Sequence, residues 1–284
     1  MIELDFLRQL DRFSLILQHK VNSNYSGSRE SMITGQGLIF KDHKEYVFGD
    51  DFRNIDWRVF ARSDKLFIRR FDEERNLTVH VIVDTSASMD YGSRILKGDY
   101  AAMLGIGFAY MAMKQNDRFV LSTFSEELEF FRARKGTKQL ASMFNYLSNK
   151  KYKGKTLFEK AIMRYKKRID SRSLIVIISD FLYDLDEIRN SIYRLKNNEI
   201  ILLQVLDQRE LKFNMEGQFK LEDLETKDTL KTFISSSLQK IYLKRLNSHN
   251  SNIKRICNEI GGYFFTTSTS TPIFDTFYDV LQKK

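Results

Sequence analysis

One stretch of the sequence, residues 79–89, constrains the fold more than any other. It begins as a run of mainly apolar, β-branched residues that ends at Asp84. A run that is apolar on both sides of the backbone is typical of a central parallel strand, buried above and below. Ser86 and Ser88 follow at alternate positions, and a mostly apolar segment after them predicts a helix. Open α/β sheets bind their ligands at such a point, beyond the carboxyl end of a strand.

The residues that follow this predicted strand indicate a metal ion as the ligand. Asp84, Ser86 and Ser88 supply one carboxylate and two hydroxyls, all of which are hard oxygen donors. Donors of this kind suit Mg²⁺ or Mn²⁺ rather than a thiophilic metal. A single loop supplies too few ligands for an octahedral ion. We therefore expect further oxygens from the ends of other strands.

The Asp-x-Ser-x-Ser pattern resembles the first motif of the von Willebrand factor A domain, the metal-ion-dependent adhesion site. That resemblance implies a threonine on a later loop and an aspartate at the end of a central strand, and both are present in this order. Helix capping could explain Ser88 or Thr156 singly, but not the whole set. In that family the hydroxyls hold the ion and the aspartates act partly through water. The implied metal residues are Asp84, Ser86, Ser88, Thr156 and Asp180.

A second resemblance covers about residues 25–90. Gly-Asp-Asp-x-Arg-x-Ile-Asp-Trp at residues 49–57 is followed by Ala-Arg at 61–62 and by Phe-x-Glu-Glu at 71–74. Together with the metal motif, these resemble a bacterial family of von Willebrand A proteins, the domain-of-unknown-function fifty-eight family. Its members are often encoded beside MoxR-type AAA+ ATPases. The resemblance implies a fold and a partner class, and it does not imply a reaction.

The segment at residues 49–57 has two interpretations. It contains three carboxylates, Arg53 and the single tryptophan of the chain, Trp57. Gly-Asp-Asp predicts a turn, and the planar guanidinium of Arg53 could bridge carboxylates. We expect a structural turn in which Trp57 is buried against the sheet. A catalytic or recognition role is the alternative.

Apolar strands and helices alternate along most of the chain. This pattern predicts an α/β fold with a doubly wound, mainly parallel sheet of the Rossmann-like von Willebrand A type. The expected strands are residues 79–84, 118–124, 174–180, 200–206 and 263–267, with a short antiparallel edge strand at 127–131. The expected helices are residues 93–115, 137–148, 157–168, 184–197 and 231–260, and a last helix that begins at Pro272.

The same patterns divide the chain into two parts. Residues 1–75 are expected to form an N-terminal helix and a family-specific extension, with a hairpin or irregular extended stretch at about 38–48. Residues 76–284 are expected to form the von Willebrand A-like domain. It contains a polar insertion at about 207–230, with a possible hairpin at 221–226.

Composition restricts the compartment and the partners. Cys257 is the only cysteine among 284 residues, so no intramolecular disulfide can form, as is typical of a reducing compartment. The first residues are acidic, which argues against a signal peptide. The longest apolar run, residues 100–113, is shorter than the ~20 residues that a membrane span requires. These features together predict a cytoplasmic protein, and we expect it to be a monomer. The lysines behind the net charge of +9 are dispersed and mixed with acidic residues, so no nucleic-acid partner is expected.

Three enzyme classes are alternatives to this interpretation. A nucleotide-binding P-loop requires a glycine where Asn149 stands, upstream of Gly154. A serine hydrolase requires Gly-x-Ser-x-Gly, which does not surround Ser86, and the four histidines are dispersed. A phosphotransferase of the haloacid dehalogenase type remains the alternative, with Asp84 as its nucleophile. In that class Ser86 would replace the second carboxylate, and a hydroxyl cannot do acid–base work near neutral pH.

Metal-dependent protein binding is the function that these patterns imply. We expect Mg²⁺, or Mn²⁺ in its place, to keep one coordination position open for a Glu or Asp of a partner. The family resemblance implies that the partner is a MoxR-type AAA+ ATPase, for which the chain would be an adaptor or co-chaperone. No catalytic residue is expected, because the sequence contains no evident nucleophile–base pair and no intact phosphate loop.

Overall fold

The computed structural model describes residues 9–11, 39–72, 78–132 and 134–282. These residues belong to two compact units. Residues 17–76 are called the N-terminal unit below, and residues 1–16 together with 77–284 are called the sheet domain. The predicted N-terminal helix and the loop after it lie outside the described residues, apart from residues 9–11, which are helical.

The described part of the N-terminal unit contains two strands, one α-helix and a short 3₁₀ turn (Phe52–Asn54): β1 (Ile39–Glu45), α1 (Trp57–Ser63) and β2 (Phe67–Asp72). β1 pairs with β2 in the antiparallel direction. Of the two forms expected for residues 38–48, the extended stretch is confirmed, because β1 runs to Glu45 with an irregularity between Phe40 and Asp42, and it pairs with β2 rather than forming a hairpin of its own. An antiparallel pair can leave one face in water, so the polar side chains of β1 do not prevent backbone pairing.

The acidic turn before α1 is held by local hydrogen bonds, but its tryptophan is not buried. Asp51 accepts a hydrogen bond from the Arg53 N–H (3.0 Å), and Asp56 caps α1. Arg53 Nε is 3.9 Å from Asp51 Oδ1, too far for a bidentate bridge. Trp57 is 61% exposed, so the expectation that it is buried against the sheet is wrong. As the first residue of α1, it contacts Phe60 of the same helix edge-on.

The sheet domain is built around a six-stranded sheet. Its strands are β3 (Thr78–Asp84), β4 (Arg118–Phe124), β5 (Leu128–Phe130), β6 (Leu174–Ser179), β7 (Glu199–Leu206) and β10 (Tyr263–Ser268). They lie in the order β10-β7-β6-β3-β4-β5. All neighbouring strands are parallel except β4 and β5. The predicted α/β class with a mainly parallel sheet is confirmed, including the antiparallel edge strand.

Helices cover both faces of this sheet. They are α2 (Lys97–Lys114), α3 (Thr137–Ser148), α4 (Phe158–Lys166), α5 (Leu185–Arg194), α6 (Gln208–Lys212), α7 (Ser236–Glu259) and α8 (Ile273–Gln282). One core contains residues of α2, α3 and α8, and the other contains residues of α4, α5 and α7. Val81 and Val83 enter the first core and Ile82 the second, because strand side chains alternate. This two-sided burial explains the continuous apolar run in β3.

The helix packed on β3 approaches it closely. A Cβ atom added to Gly105 would lie 3.1 Å from Val83, and one added to Gly107 would lie 2.0 Å from the ring of Phe277 in α8. Glycine in a helix interior costs about 1 kcal/mol relative to alanine. Here the close packing requires it. No helix among the described residues is long and apolar enough to cross a membrane.

The expected polar insertion contains regular structure. α6 follows β7 after one residue, and β8 (Gly217–Glu222) pairs with β9 (Thr229–Ile234) as an antiparallel hairpin. Residues 221–226 are the end of the first strand and part of the turn, rather than a whole hairpin. β9 also includes the first residues of the helix predicted over 231–260. That segment pairs as a strand, and α7 begins only after Ser235, whose side chain accepts a hydrogen bond from the Leu238 N–H.

Candidate metal centre

Four of the five predicted metal residues, Asp84, Ser86, Ser88 and Asp180, lie at or just beyond the carboxyl ends of the two central strands. β3 ends at Asp84, and β6 ends at Ser179, immediately before Asp180. The two strands are parallel neighbours, so their carboxyl ends meet at one edge of the sheet. The side chains of Asp84 and Asp180 are 0% and 2% exposed. Two buried carboxylates therefore lie beneath the loop that carries the serines.

Asp84 organises that loop. Its Oδ1 accepts a hydrogen bond from the backbone N–H of Ser86 (2.9 Å), and its Oδ2 accepts one from the hydroxyl of Ser179 (2.6 Å). Burial, together with the negative charge of Asp180, raises the pKa of the Asp84 carboxyl to about 7. A cation beside this carboxylate would favour its ionised form.

The hydroxyls of Ser86 and Ser88 form a pair of adjacent oxygen donors. Their Oγ atoms are 3.0 Å apart and share a hydrogen bond. In an octahedral Mg²⁺ site with ligands at ~2.1 Å, neighbouring ligands are also about 3.0 Å apart. Ser86 precedes a 3₁₀ turn (Ala87–Met89), and within the described structure its side chain makes no capping bond to that turn. The pair is therefore available to a cation without disturbing a helix cap.

Two backbone hydrogen bonds attach the loop that carries Thr156 to the serine loop. The Ala87 N–H donates to the Gly154 carbonyl (2.9 Å), and the Lys153 N–H donates to the Thr85 carbonyl (3.0 Å). Gly154 has a φ of 84°, a left-handed conformation that glycine adopts without strain. The third predicted hydroxyl thus lies on a loop fastened to the one that holds the other two.

Thr156 is hydrogen-bonded to an acidic side chain of the same chain. Its hydroxyl donates to Oε1 of Glu225 (2.7 Å), and its backbone N–H donates to Oε2 (3.2 Å). Glu225 lies in the turn between β8 and β9. Helix α4 has Leu157 rather than Thr156 at its N-cap. Helix capping therefore does not account for this threonine.

Asp180 is paired with a buried lysine that the sequence patterns did not identify. Lys97 Nζ is 2.9 Å from Asp180 Oδ2 and 2.9 Å from Glu210 Oε1, and Lys97 is 2% exposed. Burial acts to lower the pKa of Lys97, but the two carboxylates outweigh it and hold the pKa above its ordinary value. The only sequence signal is a lysine at the first position of a helix that is otherwise largely apolar.

A third strand end contributes the aspartate that positions Glu210. Asp207 follows β7 and accepts hydrogen bonds from the N–H and hydroxyl of Ser93 (both 2.9 Å) and from the hydroxyl of Thr269 (3.1 Å). Asp207 and Glu210 also form a capping box at the start of α6. The sequence does carry this signal, because an apolar run ends in Asp and Glu follows three residues later. The box places Glu210 beside Lys97.

The structure groups the predicted residues in two sets. Asp84, Ser86 and Ser88 are brought together with Asp180 beside them, whereas Thr156 lies on the attached loop. In the described part of the chain, no group of three or more His, Cys, Asp or Glu residues could hold a metal. A metal site at this edge would therefore depend on hydroxyl oxygens. Hydroxyl and carboxylate donors in this arrangement fit a hard divalent cation.

The buried charges at this edge are not balanced. Buried Asp84, Asp180 and Asp207 and half-buried Glu210 would carry four negative charges when ionised, and Lys97 supplies one positive charge among them. Buried charges are stable only when they are paired. One divalent cation would compensate most of the remaining negative charge.

Comparisons with known proteins connect the chain to relatives without a stated activity. The profile of a family described as "Protein of unknown function DUF58" matches residues 42–252. The uncharacterized protein Rv1480 of Mycobacterium tuberculosis (strain ATCC 25618 / H37Rv) is 24% identical over 267 residues, which are 92% of this chain and 84% of the relative. The uncharacterized protein Mb1516 of Mycobacterium bovis gives the same values.

Solved structures with a similar backbone include the conserved hypothetical protein BatB from Bacteroides thetaiotaomicron. It is 13% identical, with a TM-score of 0.46, over 73% of this chain and 98% of that one. An aerotolerance-related membrane protein from Bacteroides fragilis NCTC 9343 is 15% identical, with a TM-score of 0.47, over 73% of this chain and 100% of that one.

Proposed function

The chain belongs to the DUF58 family, and we propose that it is a metal-dependent protein-binding module of the von Willebrand factor A type. Ser86, Ser88 and Thr156 would hold Mg²⁺, or Mn²⁺ in its place. Asp84 and Asp180 would orient these hydroxyls and act partly through bound water. The ion would supply an electrophilic position at which an anionic oxygen of a partner binds.

The observation that carries this proposal is the pair of hydroxyls above a buried carboxylate. The Oγ atoms of Ser86 and Ser88 are 3.0 Å apart, and Asp84 accepts a hydrogen bond from the backbone of the same loop. The distance matches neighbouring ligands of a small octahedral ion. The carboxylate lies close enough to provide counter-charge. A cation at this place would also relieve the repulsion between Asp84 and Asp180.

Charge supports an acidic partner. Three hydroxyl ligands neutralise none of the +2 charge of the ion, and aspartates that act through water offset it only at a distance. A Glu or Asp from a partner would gain a charge-assisted contact at the open position. The net charge of +9 would also speed the approach of an acidic surface, most visibly at low salt.

The partner class comes from the family resemblance. Residues 49–57 and the metal motif resemble proteins that are often encoded beside MoxR-type AAA+ ATPases. We therefore propose such an ATPase as the partner, with this chain as its cytoplasmic adaptor or co-chaperone. We propose a structural role for residues 49–57 rather than a role in recognition, because Asp50, Asp51 and Asp56 all accept local hydrogen bonds.

The proposal includes no intrinsic enzymatic activity. Asp84 is buried, and each of its carboxylate oxygens already accepts a hydrogen bond. A phosphotransferase nucleophile must be reached by its substrate, so the complete burial of Asp84 argues against the haloacid dehalogenase alternative. Metal-dependent phosphoester hydrolysis by the pure protein, abolished in Asp84→Asn, would establish that alternative instead.

A pull-down with the full chain tests the proposed function. Wild type and Ser86→Ala are incubated with lysate in Mg²⁺ and in chelator, and the bound proteins are identified. We expect an AAA+ ATPase subunit that binds wild type only in Mg²⁺ and does not bind Ser86→Ala. Equal recovery of the same partners in chelator would show that recognition does not use the metal.

A further inference from the structure

Glu225 lies against Thr156, one of the residues proposed to hold the ion. Its carboxylate contacts Thr156 through both oxygens, at 2.7 Å from the hydroxyl and 3.2 Å from the backbone N–H. Thr156 is one of the three hydroxyls proposed to hold the ion. The Thr156 hydroxyl thus contacts the carboxylate of Glu225. A carboxylate is also the group that the proposed function expects from a partner.

The turn that presents Glu225 is held by its own hydrogen bonds. Asp223 Oδ1 accepts from the backbone N–H groups of Glu225 (2.8 Å) and Thr226 (2.9 Å). The Asp223 N–H donates to the Asp228 carbonyl (2.8 Å), and Lys227 takes a left-handed conformation with a φ of 65°. Residues 223–228 are called the hairpin tip below. Because the tip is built locally, its shape does not depend on the contact with Thr156.

The hairpin is anchored at its base and lightly held elsewhere. At the base, Ile234 is buried, and the Met215 carbonyl accepts a hydrogen bond from the Gln239 side chain (2.7 Å). Among the described elements, β8 and β9 pack extensively only against each other. The Glu225–Thr156 contact therefore joins a nearly independent hairpin to the candidate metal centre.

We propose that Glu225 is an intrachain ligand of the metal ion, and that it takes the coordination position at which an acidic partner binds. This inference rests on the proposed function. The 2.7 Å between Glu225 Oε1 and the Thr156 hydroxyl is close to the ~3 Å between neighbouring ligands of an octahedral ion. One carboxylate oxygen can therefore ligate the ion beside Thr156 with little movement of either residue.

The consequence is a competition within the chain. With the tip seated, the ion has an anionic ligand and the acidic position is filled. A partner carboxylate enters only when Glu225 leaves, and the lightly held hairpin allows this without disturbing the sheet. Residues 217–234 would then act as a tethered substitute for the partner.

The test compares Glu225→Gln with a matched variant in the same hairpin. Glu222→Gln removes an exposed carboxylate of the same hairpin, which lies 3.7 Å from Lys227. Mn²⁺ binding to wild type, both variants and Ser86→Ala is measured by paramagnetic resonance of free Mn²⁺. Hydrogen exchange of the tip amides is measured with and without Mg²⁺ in wild type and Glu225→Gln.

We expect Glu225→Gln to bind Mn²⁺ about tenfold more weakly than wild type, since the charge of the ligands tunes affinity for hard cations. Glu222→Gln should bind as wild type does. Mg²⁺ should slow exchange at the tip in wild type and leave it unchanged in Glu225→Gln. Equal or tighter Mn²⁺ binding by Glu225→Gln, with tip exchange in wild type indifferent to Mg²⁺, would overturn the inference alone. Failure of wild type to bind Mn²⁺, or equal binding by Ser86→Ala, would remove the proposed metal site as well.

Discussion

The ammonium of Lys97 is 2.9 Å from the carboxylate of Asp180, and both side chains are almost completely buried. The pair connects the first turn of α2 to the end of β6, directly beside the candidate metal centre. It supplies one positive charge to an edge of the sheet where four carboxylates lie, those of Asp84, Asp180, Asp207 and Glu210. Lys97 thus provides part of the counter-charge that the proposed ion would complete.

Replacing Lys97 by methionine should strongly destabilise the sheet domain. The variant keeps the length of the side chain but leaves Asp180 and Glu210 without their cation in a buried place. Breaking a buried ion pair in this way costs about 3–5 kcal/mol. Urea unfolding followed by circular dichroism measures the loss.

The matched control is Lys227→Met. Its ion pair with Glu222 is long, at 3.7 Å, and largely exposed. Exposed pairs contribute about 0–1 kcal/mol, so this variant should unfold almost as wild type does. A Lys97→Met protein as stable as Lys227→Met would show that the buried carboxylates are neutral or rearranged.

The buried histidine of β3 should make stability depend on pH. Burial lowers the pKa of His80 to about 4 from 6.5, although the nearby charge of Asp170 opposes the change. The unfolded chain takes up this proton as the pH falls below 6.5, whereas the folded chain does not. The contribution of the neutral ring is therefore complete above pH 6.5 and is lost as the pH falls towards 4. The loss amounts to about 3 kcal/mol, at about 1.4 kcal/mol for each pH unit.

Comparing wild type with His80→Gln separates this effect from the titration of carboxylates. The ring of His80 shares a hydrogen bond with the Tyr165 hydroxyl (2.7 Å), which a glutamine amide can also make. Between pH 7 and pH 4, wild type should lose more stability than the variant. Parallel loss in the two proteins would mean that the ring is protonated in the folded state.

Trp57 should contribute little to stability despite being the only tryptophan. It is 61% exposed, so Trp57→Ala should cost less than about 1 kcal/mol, as is usual for a surface substitution. Phe158 is completely buried and its ring contacts that of Phe124 in β4, so Phe158→Ala should cost about 3–5 kcal/mol. Thermal unfolding of both variants tests the contrast. A Trp57→Ala protein as unstable as Phe158→Ala would contradict the exposed position.

Gly107→Ala should destabilise the sheet domain even though alanine is the better helix former. A Cβ atom at this position would lie 2.0 Å from the ring of Phe277, so the buried ring or the helix that carries it would have to move. Overpacking of this kind costs about 1–3 kcal/mol, against about 1 kcal/mol gained in helix propensity, so we expect a net loss of up to about 2 kcal/mol. Gly105→Ala, with its nearest contact at 3.1 Å, should be tolerated better in the same unfolding assay.

The sequence predicted the parts of the fold that depend on local pattern. β4 and β6 begin where expected and end within one residue of the prediction, because each is a continuous buried run. The loop with Asp84, Ser86 and Ser88 was also recognisable, since its oxygen donors are adjacent in the chain. The alternation of strands and helices was sufficient for the α/β class.

The rest of the site depends on residues far apart in the chain. Lys97 meets residues 83 and 113 positions away, and Thr156 meets a residue 69 positions away. No local pattern specifies such pairs. Trp57 was mispredicted for a related reason, because a large apolar side chain in a short motif does not reveal which face of a helix is covered. The β8–β9 hairpin shows the same limit, since only its turn was polar enough to be recognised.

The most direct test of the central claim is the response of thermal unfolding to Mg²⁺. A bound ion at ten times its dissociation constant should stabilise the protein by about 1.4 kcal/mol. Ser86→Ala removes one of the paired hydroxyls, and Ser191→Ala removes a buried hydroxyl of α5 that donates to the Glu187 carbonyl instead. The account predicts that Mg²⁺ raises the melting temperature of wild type and Ser191→Ala and leaves that of Ser86→Ala unchanged. An equal rise in all three proteins, or in none, would contradict a metal site at Asp84, Ser86 and Ser88.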